Sequence, residues 1–246
     1  DALNVAVGYE AGVDITTGTQ NTIIGAYAGD ALTGAGFTGA TRGAGADYNT
    51  AVGYASLSYE NLGNKSTAVG SYALNVQRNN SNTDVFNVAI GYTAGYSVST
   101  GVRNTFVGGG AGYGTDDGLD NTAVGYSALS ANCGNYNTAT GARALSAATG
   151  TSNTAIGVDA LPGAVTGSNN TALGGNAGIS VTSGGNNTFV GKDAGRTGSP
   201  GGAITAQNNQ LVMGDENVAQ AYIQVDWTIA SDARDKTDFT ALDLGL

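Results

Sequence analysis

The chain has 246 residues, with 41 Gly, 2 Pro, 11% charged residues and a formal net charge of −10. Abundant Gly with almost no Pro excludes a collagen helix, and 41% apolar residues with many β-branched side chains exclude a disordered chain. The lack of His and the single Cys133 exclude imidazole triads, zinc centres and an intrachain disulfide, while nine Lys and Arg are too few for a nucleic-acid surface that tracks phosphates.

From the first residues onward one phrase recurs, Asn-Thr-Ala-Val-Gly. It runs from Asn4 to Gly8, Asn21 to Gly25, Asn49 to Gly53, Ser66 to Gly70, Asn87 to Gly91 and Asn104 to Gly108. It continues from Asn121 to Gly125, Asn137 to Gly141, Asn153 to Gly157, Asn170 to Gly174 and Asn187 to Gly191, with a degenerate last copy from Gln210 to Gly214. Successive glycines lie 17, 28, 17, 21, 17, 17, 16, 16, 17, 17 and 23 residues apart, so the unit is 16 or 17 residues and the longer gaps are insertions. Three residues after each glycine stands a small side chain, as at Ala28, Ser56 and Ala128, followed by Gly or Leu. The rest of each unit is rich in Gly, Ser and Thr, which is turn chemistry. One unit therefore reads as strand, tight bend, second short strand and loop.

Such a unit cannot bury a face alone, so copies must stack, and the predicted fold is all-β: a parallel β-solenoid or β-roll of 16–17-residue rungs. At about 4.8 Å per rung, the ten steps from Gly8 to Gly191 span roughly 48 Å, which is a rod. Stacked Asn side chains are expected to form amide ladders, and Gly to serve where a Cβ would clash. The two-residue alternation of a strand puts Thr50 and Val52 on one face, with Val and Ile filling the interior, and Ala51 on the other. A roll this thin and this rich in Ala and Gly buries little apolar area, so self-association is expected. A ring of three rods would cover the Ala51 face and hide sheet edges, giving a homotrimeric fibre.

The longest insertion, between Gly25 and Gly53, contains the segment from Gly34 to Ala46 and then Asp47 and Tyr48; a smaller one lies around Arg78, Asn79, Asn80 and Ser81. Insertions in a solenoid become surface loops, the first place to seek ligand contacts. Tyr9, Tyr54, Tyr92 and Tyr126 recur at one repeat position; they could stack on sugar rings, but a column packed along the outer edge of the rod is the favoured reading. The run from Gly108 to Gly114 imitates a phosphate loop but lacks its third glycine and Lys-Ser/Thr, and falls in frame with the repeat. Asn64, Asn79, Asn169 and Asn186 begin sequons that a chain rich in Asn and Thr produces by chance. Asp116, Asp117 and Asp120 lack the ligand spacing of a calcium loop and read as a solvated turn. No cofactor and no metal are expected. Gly, Asn and Thr interrupt each apolar run before the roughly 20 residues of a membrane helix. The opening Asp1 reads as the start of a fragment or processed chain, leaving a signal peptide untested.

From about Gln207 the texture changes. Tyr222, Gln224 and Asp226 alternate with Ile223, Val225 and Trp227 as a strand would, and a polar tail closes the chain. The expected organisation is a repeat shaft over residues 1–206, a terminal β segment over 207–230 and a separate unit over 231–246. In the tail, Ser231-Asp-Ala-Arg-Asp-Lys236-Thr-Asp238 resembles the opening of the intramolecular chaperone domain (the S74 peptidase family) at the ends of bacteriophage tail fibres and tailspikes. The upstream rungs resemble phage fibre repeats and, more loosely, the head repeats of trimeric autotransporter adhesins. The resemblance implies that Ser231 and Lys236 are a catalytic pair for cleavage between Ala230 and Ser231, in a domain that drives trimerisation and then cuts itself off. Lys236 can act as a base for Ser231 only if its pKa is lowered by burial or neighbouring cations. On residue chemistry alone, Ser231 could cap a short acidic helix. Phe239 replaces the family's usual branched aliphatic residue, and only 15 residues follow Ser231.

The implied function is a non-enzymatic, virion-borne tail-fibre shaft, apart from one self-cleavage, that attaches to a host-cell receptor, with a surface glycan expected. Its partners would be two further copies and other tail proteins, with no nucleic acid and no membrane insertion. A bacterial trimeric adhesin is the alternative. An ice-binding solenoid is disfavoured because the alternation places Thr22, Thr50 and Thr122 beside core residues, and a depolymerase would need carboxylates converging in a groove.

Overall fold

The fold is a parallel β-solenoid, seen in a computed structural model that describes residues 3–32, 45–79, 81–163 and 165–219. The strands are β1 (Val5–Val7), β2 (Thr22–Ile24), β3 (Thr50–Val52), β4 (Gly63–Asn64), β5 (Thr67–Val69), β6 (Thr83–Asp84) and β7 (Val88–Ile90). They continue as β8 (Thr105–Val107), β9 (Thr122–Val124), β10 (Thr138–Thr140), β11 (Thr154–Ile156), β12 (Thr171–Leu173), β13 (Thr188–Val190) and β14 (Leu211–Met213). All but β4 and β6 form one 12-stranded sheet in chain order, and β4 pairs with β6 in a separate two-stranded sheet. Every pairing is parallel and in register, with Thr50 opposite Thr67 and Thr105 opposite Thr122. The 28-residue spacing between Gly25 and Gly53 leaves this unchanged, because β2 pairs directly with β3.

Each strand of the long sheet is three residues long because glycine ends it. Gly125 has φ of +133°, which a side chain cannot comfortably adopt, and a Cβ there would lie 2.7 Å from the backbone of Gly141 in the next rung. Beyond the glycine the chain turns through left-handed residues such as Tyr72 (φ 60°) and Leu74 (φ 47°), and a third left-handed residue, such as Arg103 (φ 57°), precedes the repeat Asn. These corners explain why the expected second short strand is absent from most rungs: alternating left-handed residues cannot extend, so that limb is a chain of turns. They also explain why Gly or Leu follows the small residue, since the position is left-handed and its side chain, when present, points into the core.

The alternation within each strand is as expected, but its sense is reversed. Ala51, Ala68, Ala89, Phe106 and Ala123 are fully buried, whereas Thr50 and Val52 are only half-buried. The middle residue faces the interior and its two neighbours face out, so the Ala51 face lies inside each rod and is not free to meet other rods. A three-residue strand offers either one inward position or two. A narrow rung has room for one, and with Thr outside no hydroxyl is stripped of water.

Core volume is held by exchange between columns. Where the strand contributes Ala, the later Leu fills the interior, as with Leu57, Leu129, Leu145 and Leu161. Where it contributes Phe106, the Leu position is Gly in the same rung and in the preceding one. A Cβ on Gly112 would lie 2.4 Å from the Phe106 ring and one on Gly95 2.9 Å from it. Phe189 repeats the arrangement, with a Cβ on Gly195 at 2.5 Å and one on Gly178 at 3.1 Å.

The buried asparagines form a ladder of another kind from the expected amide-to-amide stack. Asn104 Oδ1 accepts the backbone N–H of Asn121 at 2.9 Å, and Asn104 Nδ2 donates to the Gly118 carbonyl at 2.8 Å. One side chain thus ties its own rung to the loop and strand of the next. The Oδ1 bond recurs at each Asn of the column from Asn21 to Asn187 and the Nδ2 bond at each except Asn121, whose buried Nδ2 finds no partner, while a direct amide pair joins Asn170 Nδ2 to Asn153 Oδ1 at 3.1 Å. Where Ser66 replaces Asn, the insertion supplies a substitute. Buried Gln77 donates to Ser66 Oγ at 3.0 Å and to Glu60 Oε2 at 2.7 Å, and Glu60 Oε1 accepts the backbone N–H groups of Asn61, Gly63 and Asn79.

Candidate functional site: a threonine face and a tyrosine edge

Two long surfaces are built by the repeat itself. The first is the outer face of the 12-stranded sheet. Thr22, Thr50, Thr67, Thr105, Thr122, Thr138, Thr154, Thr171 and Thr188 form one column, interrupted by Val88. Beside it runs an aliphatic column that includes Ile24, Val52, Val69, Ile90, Val124, Ile156, Leu173 and Met213, interrupted by Thr140, with Val124 38% and Leu173 48% exposed. No charged side chain enters either column from β2 to β13. The outward threonines remove the ground on which the sequence disfavours ice binding, since they share a face with exposed aliphatic residues and not with the core.

The second surface is the edge just past the strand-ending glycines. Tyr9, Tyr54, Tyr92 and Tyr126 hold one repeat position as expected, but Tyr27 and Tyr72, one residue later in their own rungs, interleave with them. The rings of Tyr9, Tyr27, Tyr54, Tyr72 and Tyr92 meet edge to face in sequence, with centroids 5.5, 5.8, 5.2 and 6.5 Å apart. Tyr96 and Tyr113 stack nearly parallel at 5.2 Å. Such pairs add about 0.5–1.5 kcal/mol each beyond burial. Loss of solvent among these rings, followed by the hydrogen bond with Tyr54, pushes the Tyr72 hydroxyl pKa up. The edge is thus packed along the outside of the rod, and its outer ring faces are open: Tyr92 is 65% and Tyr126 66% exposed.

Two hollows open on this edge. One, of about 410 Å³, is bordered by Tyr27, Asp30, Tyr54, Tyr59, Tyr72 and Tyr96. Burial raises the Asp30 pKa, and its buried Oδ1 has no hydrogen-bond partner. The other, of about 380 Å³, lies over Gly109 and Gly110 between Tyr92, Tyr113 and Tyr126.

The remaining sequence candidates fall into place without chemistry. Asp116 accepts a hydrogen bond from Ser99, and Asp120 pairs with Arg103 at 2.7 Å, which holds its carboxyl below the usual range. Asn64 and Asn79 are buried and so closed to glycosylation, whereas Asn169 and Asn186 are exposed. Cys133 is buried, and that burial raises its pKa. Among the described residues no three His, Cys, Asp or Glu side chains gather closely enough to hold a metal ion, and no helix is long and apolar enough to cross a membrane. Ser231, Lys236, the Ala230–Ser231 bond and the alternating segment from Tyr222 to Trp227 lie outside the described residues, as does most of the long insertion. Comparison with protein-family models, curated proteins and solved structures finds no match to this chain.

Proposed function

We propose that this chain is the shaft of a bacteriophage tail fibre: a homotrimeric rod in the virion that attaches to a host-cell surface receptor, expected to be a glycan. Other tail proteins would hold it, and a C-terminal trimerisation chaperone, begun by Ser231 and Lys236, would cut itself off. The observation that carries this reading is the uncharged aliphatic column on the sheet. It runs from Ile24 to Met213, broken by Thr140, and a solitary rod with so long an apolar stripe invites association. Three copies about a common axis would cover the stripe of each, replacing the Ala51 face first expected at the interface. Light scattering on the intact chain should give three times the 24.2 kDa of one copy. Val124→Lys combined with Ile156→Lys should dissociate the trimer while leaving the strand signal in circular dichroism. A monomeric unsubstituted chain sinks the trimeric shaft. For the processing role, a chain extended through the whole chaperone should be cut before Ser231 and its Ser231→Ala form should not; if both run uncut, Ser231 and Lys236 lose their roles.

The outward threonine column favours a second reading, an ice-binding solenoid. Hydroxyls and methyls repeated about every 4.8 Å on a rigid, uncharged sheet can order the water above them. The same face cannot meet ice and partner rods together. A monomer that shows thermal hysteresis, lost in Thr122→Lys, would favour ice; a trimer without hysteresis would favour the shaft.

A further inference from the structure

We propose that Gly109 and Gly110 floor a slot that receives one neutral pyranose ring of a glycan, held among Tyr92, Tyr113 and Tyr126. The inference deepens the attachment reading by giving it a place and a ligand class. It starts from a glycine with no backbone reason to be one. Gly110 has φ of +65° and occupies the left-handed corner, but Gly109 has no such φ, and a Cβ on it would meet nothing closer than the Tyr126 ring at 3.7 Å. At the equivalent position other rungs carry Tyr54, Tyr92, Tyr126, Val158 and Lys192 as well as the small Ala26, Ser71, Ala142 and Gly175, so the backbone accepts large side chains there; between tyrosine-bearing rungs, Ala26 and Ser71 are followed by Tyr27 and Tyr72, which fill their gaps, whereas Gly109 is followed by Gly110. The effect of Gly109 is to leave out one tooth of the tyrosine edge.

The gap has the dimensions and chemistry of a sugar site. Tyr92 and Tyr126 stand one rung either side of Gly109, so their backbones are about 9.6 Å apart at two rung spacings. That leaves room for one ring in contact with side chains on both sides at about 4 Å each. Two of the three walls are braced: Tyr92 meets Tyr72 edge to face at 6.5 Å, and Tyr113 stacks on Tyr96. Preformed walls lower the ordering cost of binding. Ser127, Ser130 and Thr93 line the same hollow of about 380 Å³; the hydroxyls of Thr93 and Ser130 donate to the Tyr92 and Ser146 carbonyls and so present acceptor lone pairs to sugar hydroxyls. No lining residue is charged, and the chain carries a net charge of −10, so a neutral glycan fits better than an acidic one. Aromatic faces beside hydroxyls suit the apolar C–H face and polar rim of a pyranose.

Saturation-transfer NMR on the intact chain with maltohexaose, cellohexaose and chitohexaose tests the slot. At least one should receive saturation on its ring protons. Gly109→Tyr, which restores the side chain found in other rungs, should abolish the transfer with an unchanged circular dichroism spectrum, and Tyr126→Ala should weaken binding about tenfold. Absence of transfer to all three sugars, or transfer undiminished in Gly109→Tyr, overturns the slot. Light scattering on the same samples separates the two proposals: a trimer that binds no sugar loses only the slot, and a monomer that binds sugar loses only the trimeric shaft.

Discussion

At the scale of single residues the fold depends on positions where only one side-chain size or backbone conformation works. Gly125 is the clearest, because its φ of +133° and its contact with Gly141 both exclude a Cβ. Gly125→Ala should therefore cost more than the roughly 1 kcal/mol of an ordinary glycine replacement, read as a lowered midpoint in chemical denaturation; an unchanged midpoint would mean that the rungs can move apart there. Gly109 provides the contrast, since Gly109→Ala should be neutral to stability. Thr93 marks the opposite exception, a β-branched residue held at φ 53° with its hydroxyl bonded to the Tyr92 carbonyl at 2.8 Å. Thr93→Asn suits the left-handed corner better and should raise stability by up to about 1 kcal/mol, read as a higher midpoint.

At the scale of the rung, exchange between strand and corner residues sets the core. Phe106→Ala should cost about 3–5 kcal/mol through lost burial and a cavity, and Gly112→Leu alone should be at least as damaging because of the ring it meets. The two together recreate the Ala and Leu pair of other rungs. The double variant should recover much of the loss, a non-additivity that denaturation of all four proteins would measure. This pairing was legible in the sequence, since Phe106 and Phe189 stand in the Ala column with Gly in the Leu column, yet the repeat had to be read across columns to see it. The rung length and the parallel stacking were equally legible, because Asn, Gly and the small residue recur at fixed spacing. Which face points inward was not. A three-residue strand alternates in the same way whichever side is buried, and Val outranks Ala on any hydrophobicity scale. What decides is the width of the rung, set by corners whose left-handed conformations Tyr72, Leu74 and Arg103 do not announce. The tyrosine edge was half legible, because Tyr27 and Tyr72 leave the position shared by Tyr9 and Tyr54 and join them only in space.

At the scale of the whole molecule the chain has few titrating groups that could alter it near neutrality. It has no His, and imidazole is the one unperturbed side chain that titrates between about pH 5 and 8. Lys65 beside Asp84 and Arg103 beside Asp120 hold those carboxyls below their ordinary value of 3.8, and hydrogen bonds from Asn176 and Asn217 do so for Asp193 and Asp215. A lowered folded pKa gives stability that is present above the unfolded value and lost as pH falls through the folded one. Asp30 has the opposite sign: its raised pKa means that acidification first relieves a buried charge. Thermal melts should therefore hold steady from pH 6 to 8 and fall only below about 3.8, the ordinary value for Asp. A sharp loss between pH 5 and 7 would contradict these shifts.

Because every strand of the long sheet pairs in register with the next copy of itself, the rod has a natural unit of length. Excising one complete period brings the strand columns back against like, with Asn over Asn and glycine over glycine, and shortens the rod by about 4.8 Å. Excising half a period would bring corners over strands and stop the stacking. Recombination between repeats can thus lengthen or shorten this molecule in whole steps while each intermediate remains foldable, so reach can change without redesign of the strand columns.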